Sequence, residues 1–245
     1  MKIGICISGI CRGNLEKNIQ SIKNHFSGDY FYGTWDTHVL PKYLKDANIF
    51  YIKEPTMDYH PILDVDDLKA PKLKTIKKQM TIPSNLNTTE YRNRTLHHTK
   101  QILIHNEMMK KIDSSYDMII RLRYDTFLSS RVDLNSYLKK SYKDNIAIGF
   151  GTRTSRHKNI NILYEIPKIY PTENPPASVS QDWGWYLMDP LIFHPRNLWD
   201  TNLVDRLHKE KKLLPAEYGW YQILSEPYGD NHLSVYGGAQ IEKYL

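Results

Sequence analysis

Charged residues stand at the end of one apolar run in this sequence. Residues 118–122 read Met-Ile-Ile-Arg-Leu, and Arg121, Arg123 and Asp125 gather toward the end of the run. Ligands of open α/β sheets bind at the carboxyl ends of strands, so a carboxylate two residues after an arginine is placed there to meet a ligand. Guanidinium groups neutralise phosphates, and a carboxylate binds a hydroxyl group or, with help from phosphates and waters, a divalent cation. The structural alternative is an Arg–Asp ion pair that only closes off the strand.

A glycine-containing turn follows the first predicted strand. It reads Ser8-Gly9-Ile-Cys-Arg12-Gly-Asn14, and Asn14 is a favourable N-cap for the helix that comes next. A strand, a glycine turn and a helix start form a natural cradle for an anion, because the first N–H groups of a helix have no partner within it. The guanidinium of Arg12 would face a diphosphate there. The spacing matches neither the dinucleotide fingerprint nor the P-loop, so a plain strand-to-helix turn stays open.

Two further segments combine tryptophan with a carboxylate. Trp35 and Asp36 end the second predicted strand, where the indole ring either stacks on a base or packs in the core. Asp182, Trp183 and Trp185 follow a proline-rich stretch. Aromatic rings next to a carboxylate suit a sugar pocket, because they offer an apolar platform beside a hydrogen-bonding group. The alternative for this second segment is a hydrophobic entry into a strand.

The remaining acidic and histidine residues give weaker signals. Glu217 stands in the first turn of a predicted helix that begins at Pro215, where it serves either as a base or as a complement to the helix dipole. His97 and His98 are adjacent on a helix and face different ways, and no His-x-x-x-His pair occurs. The spacing therefore does not predict a histidine-bound metal.

Hydrophobic periodicity places these candidates on alternating strands and helices. A strand, a helix and a second strand joined by short links predict a right-handed parallel crossover. No repeat or clean domain boundary is visible, so we expect one α/β domain over residues 1–245 with a mostly parallel central sheet flanked by helices. The predicted strands are Lys2–Ser8, Tyr30–Thr34, Asn48–Lys53, 117–122, Ile146–Phe150 and Leu233–Tyr236, with a strand pair or a strand and a turn over Tyr186–Phe193; the predicted helices are Leu15–Phe26, Glu90–Ile112, Leu198–Leu213 and Pro215–Ser225, with a short helix or turn over Val132–Lys140.

Composition narrows the functional classes. The 245 residues carry a formal charge of +6, but the lysines are scattered, so no nucleic-acid partner is expected. Two cysteines are too few for a disulfide framework and indicate a reducing compartment. The first residues enter a strand at once and no apolar run approaches the ~20 residues of a membrane span, so we expect neither a signal peptide nor a transmembrane segment and predict a cytoplasmic protein.

The order of these motifs resembles a known family. In sequence they are Ile7-Ser-Gly-Ile-Cys-Arg12, Phe31-Tyr-Gly-Thr-Trp35-Asp36, Tyr116 to Asp125 after a long helix, Asp182 with its aromatic run, and Pro215-Ala-Glu217. Together they resemble the glycosyltransferases encoded by large DNA viruses, phages and bacterial surface-polysaccharide loci, which are similar to enzymes of the GT-A fold, a Rossmann-like architecture. The resemblance spans roughly residues 2–225.

This resemblance implies a nucleotide-sugar donor and a glycan or glycoprotein acceptor. It places the donor in residues 1–130 and the acceptor in residues 131–245, in the host cytoplasm if the protein is viral. Asp182 or Glu217 would be the base of an inverting transfer, and Trp183 and Trp185 would contact the acceptor. The residues implied at the donor are Ser8, Gly9, Arg12, Trp35, Asp36, Arg121, Arg123 and Asp125.

The sequence departs from the family at its metal motif. Asp125 takes the place of the last aspartate of Asp-x-Asp, but Arg123 stands where the first would be. Either Asp125 alone binds Mn²⁺ or Mg²⁺, or Arg123 itself supplies the positive charge. Two other classes stay open: a non-catalytic carbohydrate-binding protein, and a nucleotidyltransferase, which needs carboxylates clustered for two metal ions.

Overall fold

A computed structural model describes residues 1–44, 48–59, 88–128, 133–152, 165–167, 187 and 189–241. Within these ranges the strands are β1 (Ile3–Ser8), β2 (Asp29–Trp35), β3 (Asn48–Ile52), β4 (Met118–Arg123), β5 (Thr126–Leu128), β6 (Ala147–Thr152), β7 (Glu165–Pro167), β8 (Leu191–Pro195) and β9 (His232–Ile241). The helices are α1 (Leu15–His25), α2 (Thr88–Lys111), α3 (Leu134–Asp144), α4 (Thr201–Lys209) and α5 (Ala216–Leu224). Short 3₁₀ helices lie at Lys42–Leu44, Arg196–Leu198 and Glu226–Tyr228.

The described strands form one mixed sheet. Its order is β3-β2-β1-β4-β8-β6-β9-β5, and β7 pairs with β9. β1 to β4, β6 and β9 all run in one direction, whereas β8, β5 and β7 run against it. The chain moves outward from β1 to β3 and then returns to place β4 on the other side of β1. This reversal is the topological switch point at which open α/β sheets bind ligands.

Helices cover both faces of the sheet. Alternate residues of β1 separate the two layers, since Ile5 and Ile7 pack with Ile19 and Ile22 of α1, while Cys6 packs with Met108 of α2. The α3 helix joins the α1 side, and α4 and α5 join the α2 side. The predicted α/β domain with a mostly parallel sheet flanked by helices is therefore confirmed.

The first helix begins where its sequence predicts. The side chain of Asn14 accepts a hydrogen bond from the N–H of Lys17 at 3.1 Å, which satisfies one of the free donors of the first turn. Asn18, in the same helix, is fully buried and donates to the carbonyl of Tyr124 at 3.0 Å. This bond ties the start of α1 to the turn that follows β4.

Several predicted boundaries were wrong. For the 186–193 segment, where a strand pair or a strand and a turn was expected, the described part contains one strand, β8, which begins at Leu191. The α4 helix is shorter than the predicted Leu198–Leu213, because Leu198 belongs to a 3₁₀ turn and Asp200 caps the helix after it. β9 is longer than Leu233–Tyr236, and β5 and β7 were not predicted. Among the described helices, none combines the length and apolar character needed to cross a membrane.

Candidate functional site

The pairing of β1 with β4 brings the two predicted charged segments together. The strands are parallel, with Cys6 opposite Arg121 and Ser8 opposite Arg123. Side chains alternate between the faces of a strand, so Arg121 and Arg123 share the face that Ile119 buries against α2. The Gly9–Gly13 turn and the Tyr124–Asp125 turn thus leave the sheet side by side at the switch point.

Asp125 is held by two arginines. Arg123 makes a bidentate contact with it, donating from Nε to Oδ1 at 2.9 Å and from Nη2 to Oδ2 at 2.8 Å. Arg12 adds a third bond, from its Nε to Oδ2 at 2.7 Å. The Asp125 side chain is only 2% exposed, whereas that of Arg12 is 36% exposed. The carboxylate is therefore the fixed centre of this group, and Arg12 is its accessible member.

The backbone of the glycine turn positions Arg12. The N–H of Gly9 donates to the carbonyl of Gly33 at 3.1 Å, and the hydroxyl of Thr34 donates to the carbonyl of Gly9 at 3.2 Å. Gly9 has a φ of +118°, a conformation that residues with a side chain rarely adopt, and a Cβ there would run into the side chain of Gln101. The turn is thus anchored on β2 and lies closely against α2.

The sequence reasoning missed a second carboxylate, Asp189. One of its oxygens lies 3.8 Å from Nη1 of Arg121, and the other lies 3.7 Å from Nη1 of Arg123. The main-chain carbonyl of Asp189 also accepts a hydrogen bond from Arg121. Burial raises the pKa of the Asp189 carboxyl, but the nearby guanidinium groups of Arg123 and Arg121 outweigh it, so the pKa lies below its ordinary value of 3.8.

Asp189 reaches the site because of strand direction. It directly precedes Pro190 and β8, which pairs antiparallel with β4. Because β8 runs antiparallel to β4, the residues just before β8 lie at the same edge of the sheet as the residues just after β4. The available signal was an aspartate just before the apolar run Leu191-Ile-Phe, but only the direction of β8 makes it meaningful.

Arg121 is a wholly buried charge with an aromatic partner. Its side chain is 0% exposed, and its Cζ lies 4.5 Å from the centre of the Trp220 ring of α5. Such a cation–π contact is favourable where both groups are removed from water. Arg121 is therefore held between Asp189, just before β8, and Trp220 of α5.

The other predicted donor residues lie at the same edge with different surroundings. Ser8 is fully buried, and its hydroxyl has no hydrogen-bond partner within the described part of the chain. Trp35 is 1% exposed and packs in the core beside α2, which is the packing alternative left open by the sequence. Asp36 follows β2 and is exposed.

The predicted acceptor side is not described. Asp182, Trp183 and Trp185 lie outside the described residues. Glu217 lies in the first turn of α5, as predicted, but its side chain is also outside them.

The described residues do not fit a divalent cation. Both carboxylate oxygens of Asp125 already accept hydrogen bonds from guanidinium groups. The described ranges contain no group of three or more His, Cys, Asp or Glu side chains that could hold a metal ion. Hard cations such as Mg²⁺ and Mn²⁺ need several free oxygen ligands, so we assign no metal to this arrangement.

The described residues fit an anion better than a divalent cation. We name Arg12, Arg121, Arg123, Asp125 and Asp189 the arginine–aspartate cluster; its three guanidinium groups and two carboxylates leave a net charge of +1. An exposed arginine, a buried hydroxyl with no partner among the described residues and a helix start all lie near this switch point, and groups of these kinds suit a negatively charged ligand.

No protein-family description matches the chain, and no curated protein sequence matches it. Solved structures do resemble it. One is 4-diphosphocytidyl-2C-methyl-D-erythritol synthase from Anaerococcus prevotii, at 10% identity and a TM-score of 0.49, covering 96% of this chain and 87% of that one. Another is a glycosyltransferase involved in glycosylation of the major capsid of PBCV-1, at 10% identity and a TM-score of 0.43, covering 96% and 82%.

A third is glucosyl-3-phosphoglycerate synthase from Mycobacterium tuberculosis, solved with Mn²⁺, UDP and phosphoglyceric acid. Its identity is 10% and its TM-score 0.48, covering 100% of this chain and 72% of that one. The resemblance to GT-A-like glycosyltransferases expected from the motifs is thus found among solved structures. At these identities and TM-scores, it assigns no activity to this chain.

Proposed function

We propose that this chain is a glycosyltransferase that takes its sugar from a nucleotide-sugar donor. The observation that carries the proposal is the arginine–aspartate cluster at the carboxyl ends of β1 and β4, at the topological switch point and beside the start of α1. A nucleoside-diphosphate sugar presents a diphosphate, and the departure of the nucleoside diphosphate as a leaving group concentrates negative charge there. Guanidinium groups fixed in advance stabilise such charge without reorganising during the reaction.

Within this proposal, five of the predicted donor residues have a direct role. Arg12 and Arg123 contact the diphosphate, and Ser8 supplies a hydroxyl to the donor. Asp36, exposed after the neighbouring strand, binds donor hydroxyl groups. Trp35 contacts the base only if its ring leaves the core position described above. The free thiols of Cys6 and Cys11 fit a cytoplasmic, reducing location.

The acceptor side of the proposal rests on the motif resemblance. Asp182 or Glu217 is the base that takes a proton from the acceptor hydroxyl in an inverting transfer. Trp183 and Trp185 form the sugar platform. In this arrangement residues 1–130 hold the donor, and residues 131–245 hold a glycan or glycoprotein acceptor.

The test is a melting experiment with UDP-, GDP-, CMP- and dTDP-sugars, followed by an assay of donor consumption. A ligand at a hundred times its Kd adds about 2.7 kcal/mol of stability, which raises the Tm of a chain of this size by about 5–10 °C. We expect one nucleotide class to give this shift, and Arg12→Gln to reduce it to half or less. Lys140→Gln, which removes an exposed cation on α3, is the matched control and should keep it.

The second stage separates the proposed function from the alternatives. Release of free nucleotide with transfer of the sugar supports the glycosyltransferase. A sugar that binds without its nucleotide, and no donor consumption, identifies a carbohydrate-binding protein. Release of pyrophosphate from a nucleoside triphosphate and a sugar phosphate identifies a nucleotidyltransferase. Failure of every nucleotide-sugar to bind contradicts the proposal.

A further inference from the structure

The charge balance of the arginine–aspartate cluster is opposite to that of a cation site. Its carboxylates are outnumbered by guanidinium groups, three to two, in the described part of the chain. His98 and Arg12 also act on Asp189, since both help to lower the pKa of its carboxyl. A divalent cation entering here would meet a positive field, whereas a diphosphate would be attracted by it.

Both carboxylate oxygens of Asp125 already accept hydrogen bonds from arginine side chains. Three N–H donors from two arginines reach them at 2.7–2.9 Å, and the side chain is almost completely buried. A metal ion would have to displace Arg123, whose side chain is 11% exposed and which is also held by Asp189. Displacing Arg123 would break both of the ion pairs that this largely buried guanidinium makes, with Asp125 and with Asp189, which is unfavourable.

Arg12 differs from the other two arginines in its exposure to solvent. Its side chain is 36% exposed, against 11% for Arg123 and 0% for Arg121. It extends from a turn rather than from a strand, and its Nε donates to Asp125. A guanidinium presents its N–H donors in one plane, and their spacing matches two phosphate oxygens.

We infer that Arg12 and Arg123 perform the neutralising role of a divalent cation, so that a nucleoside diphosphate binds this chain without Mg²⁺ or Mn²⁺. The inference rests on the proposed function for the identity of the ligand and deepens it by naming how the diphosphate is held. Asp125 then acts as a positioning residue: it orients the two guanidinium groups, and the incoming diphosphate shares Arg12 with it. Asp189 positions Arg121 and Arg123 through its ion pairs with both guanidinium groups.

The experiment measures binding of UDP, GDP, CDP and dTDP by calorimetry, once with EDTA and once with Mn²⁺. We expect the Kd of the preferred diphosphate to agree in the two buffers within about threefold, a difference of less than 1 kcal/mol. Arg12→Gln should weaken binding about ten- to a hundredfold in both buffers, as the loss of a charge-assisted hydrogen bond does. Arg12→Lys keeps the positive charge but loses the planar arrangement of N–H donors, so its Kd should lie between those of the unchanged chain and Arg12→Gln. Lys140→Gln should bind like the unchanged chain.

The outcomes separate this inference from the proposed function. Binding that is abolished by EDTA and restored by Mn²⁺ overturns the inference and leaves the glycosyltransferase proposal standing. If no nucleoside diphosphate binds in either buffer, the proposed function fails, and inorganic pyrophosphate becomes the probe. Pyrophosphate binding in EDTA that Arg12→Gln removes supports a metal-free diphosphate site on its own. Absence of pyrophosphate binding overturns the inference as well.

Discussion

Replacing Asp189 with asparagine removes one negative charge from the interior while keeping the size of the side chain. Arg121 is completely buried, and Arg123 lies between Asp189 and Asp125. The variant keeps the main-chain carbonyl that accepts a hydrogen bond from Arg121. It therefore tests the charge of Asp189 rather than its packing.

The magnitude follows from burial. Removing one partner of a buried ion pair costs about 3–5 kcal/mol, because it leaves the other charge buried without compensation. The two side chains are 0% and 4% exposed, so solvent screening is small. We expect Asp189→Asn to lower the free energy of unfolding by about 3 kcal/mol, the low end of this range, because the cation–π contact with Trp220 remains. That corresponds to a fall in Tm of about 6–12 °C for a chain of this length.

The assay is urea unfolding with Asp144→Asn as the matched control. Asp144 pairs with Lys140 at 2.9 Å on the surface of α3, where the side chains are 37% and 43% exposed, and such a pair contributes about 0.5 kcal/mol or less. The pKa of Asp189 is lowered in the folded state, so its stabilisation is present above the ordinary pKa of 3.8 and is lost as the pH falls through the lower folded value. The gap between the unchanged chain and Asp189→Asn should stay constant near neutral pH and close only below about pH 4.

Two results would refute this reasoning. One is a loss of stability for Asp189→Asn that does not exceed the loss for Asp144→Asn. The other is a gap that widens as the pH falls from 7 toward 4, since this would mean that the Asp189 carboxyl takes up a proton more readily in the folded chain than in the unfolded one.

Three further predictions concern the surroundings of the site. Gly9→Ala should cost about 1–3 kcal/mol through its positive φ, and Gln101→Ala should not rescue it, because the strain lies in the backbone. His105→Phe should become more stable relative to the unchanged chain by about 2 kcal/mol between pH 7 and pH 5, because burial lowers the pKa of His105 and only unfolding lets it gain a proton. A thiol reagent should label Cys11 in the folded protein and reach Cys6 only after unfolding, since Cys6 is buried.

Each of these has its own contrary result. Recovery of stability in the Gly9→Ala, Gln101→Ala double variant would place the cost in the side-chain clash. A pH-independent difference for His105→Phe would mean that this ring titrates alike in both states. Labelling of Cys6 in the folded protein, followed by mass spectrometry of its peptide, would contradict its position in the core.

Much of this architecture could be predicted from periodicity. The apolar spacing of α1, its N-cap Asn14 and the strands on either side are local signals, and local signals specify a parallel crossover. The proximity of Arg12 and Asp125 also follows from local signals, although 113 residues separate them, because both residues follow strands that end at the same edge of the sheet. Sequence order and strand direction together placed them there.

What escaped prediction depended on tertiary information. Asp189 gained its position from the antiparallel direction of β8, and a short apolar run carries no direction. Trp35 stayed ambiguous, because an indole at a strand end suits both a ligand and the core, and only its burial decides. The end of β9 was set too early, since Gly237 and Gly238 disfavour a strand, yet the structure extends it with a register shift against β6.

The interleaving of strands around β4 has a consequence for how this chain can be divided. β4 lies between β1 and β8, and β5 pairs with β9, so strands from before and after residue 130 alternate in the sheet. A fragment that ends near residue 130 would expose both the unpaired edge of β4 and the buried charge of Arg121. Exchanging the second half of the chain for that of another protein would therefore require transferring Asp189 and β8 with their partners. Recombination at the midpoint of the sequence would break the sheet, whereas changes in the loops at its edge would leave it intact.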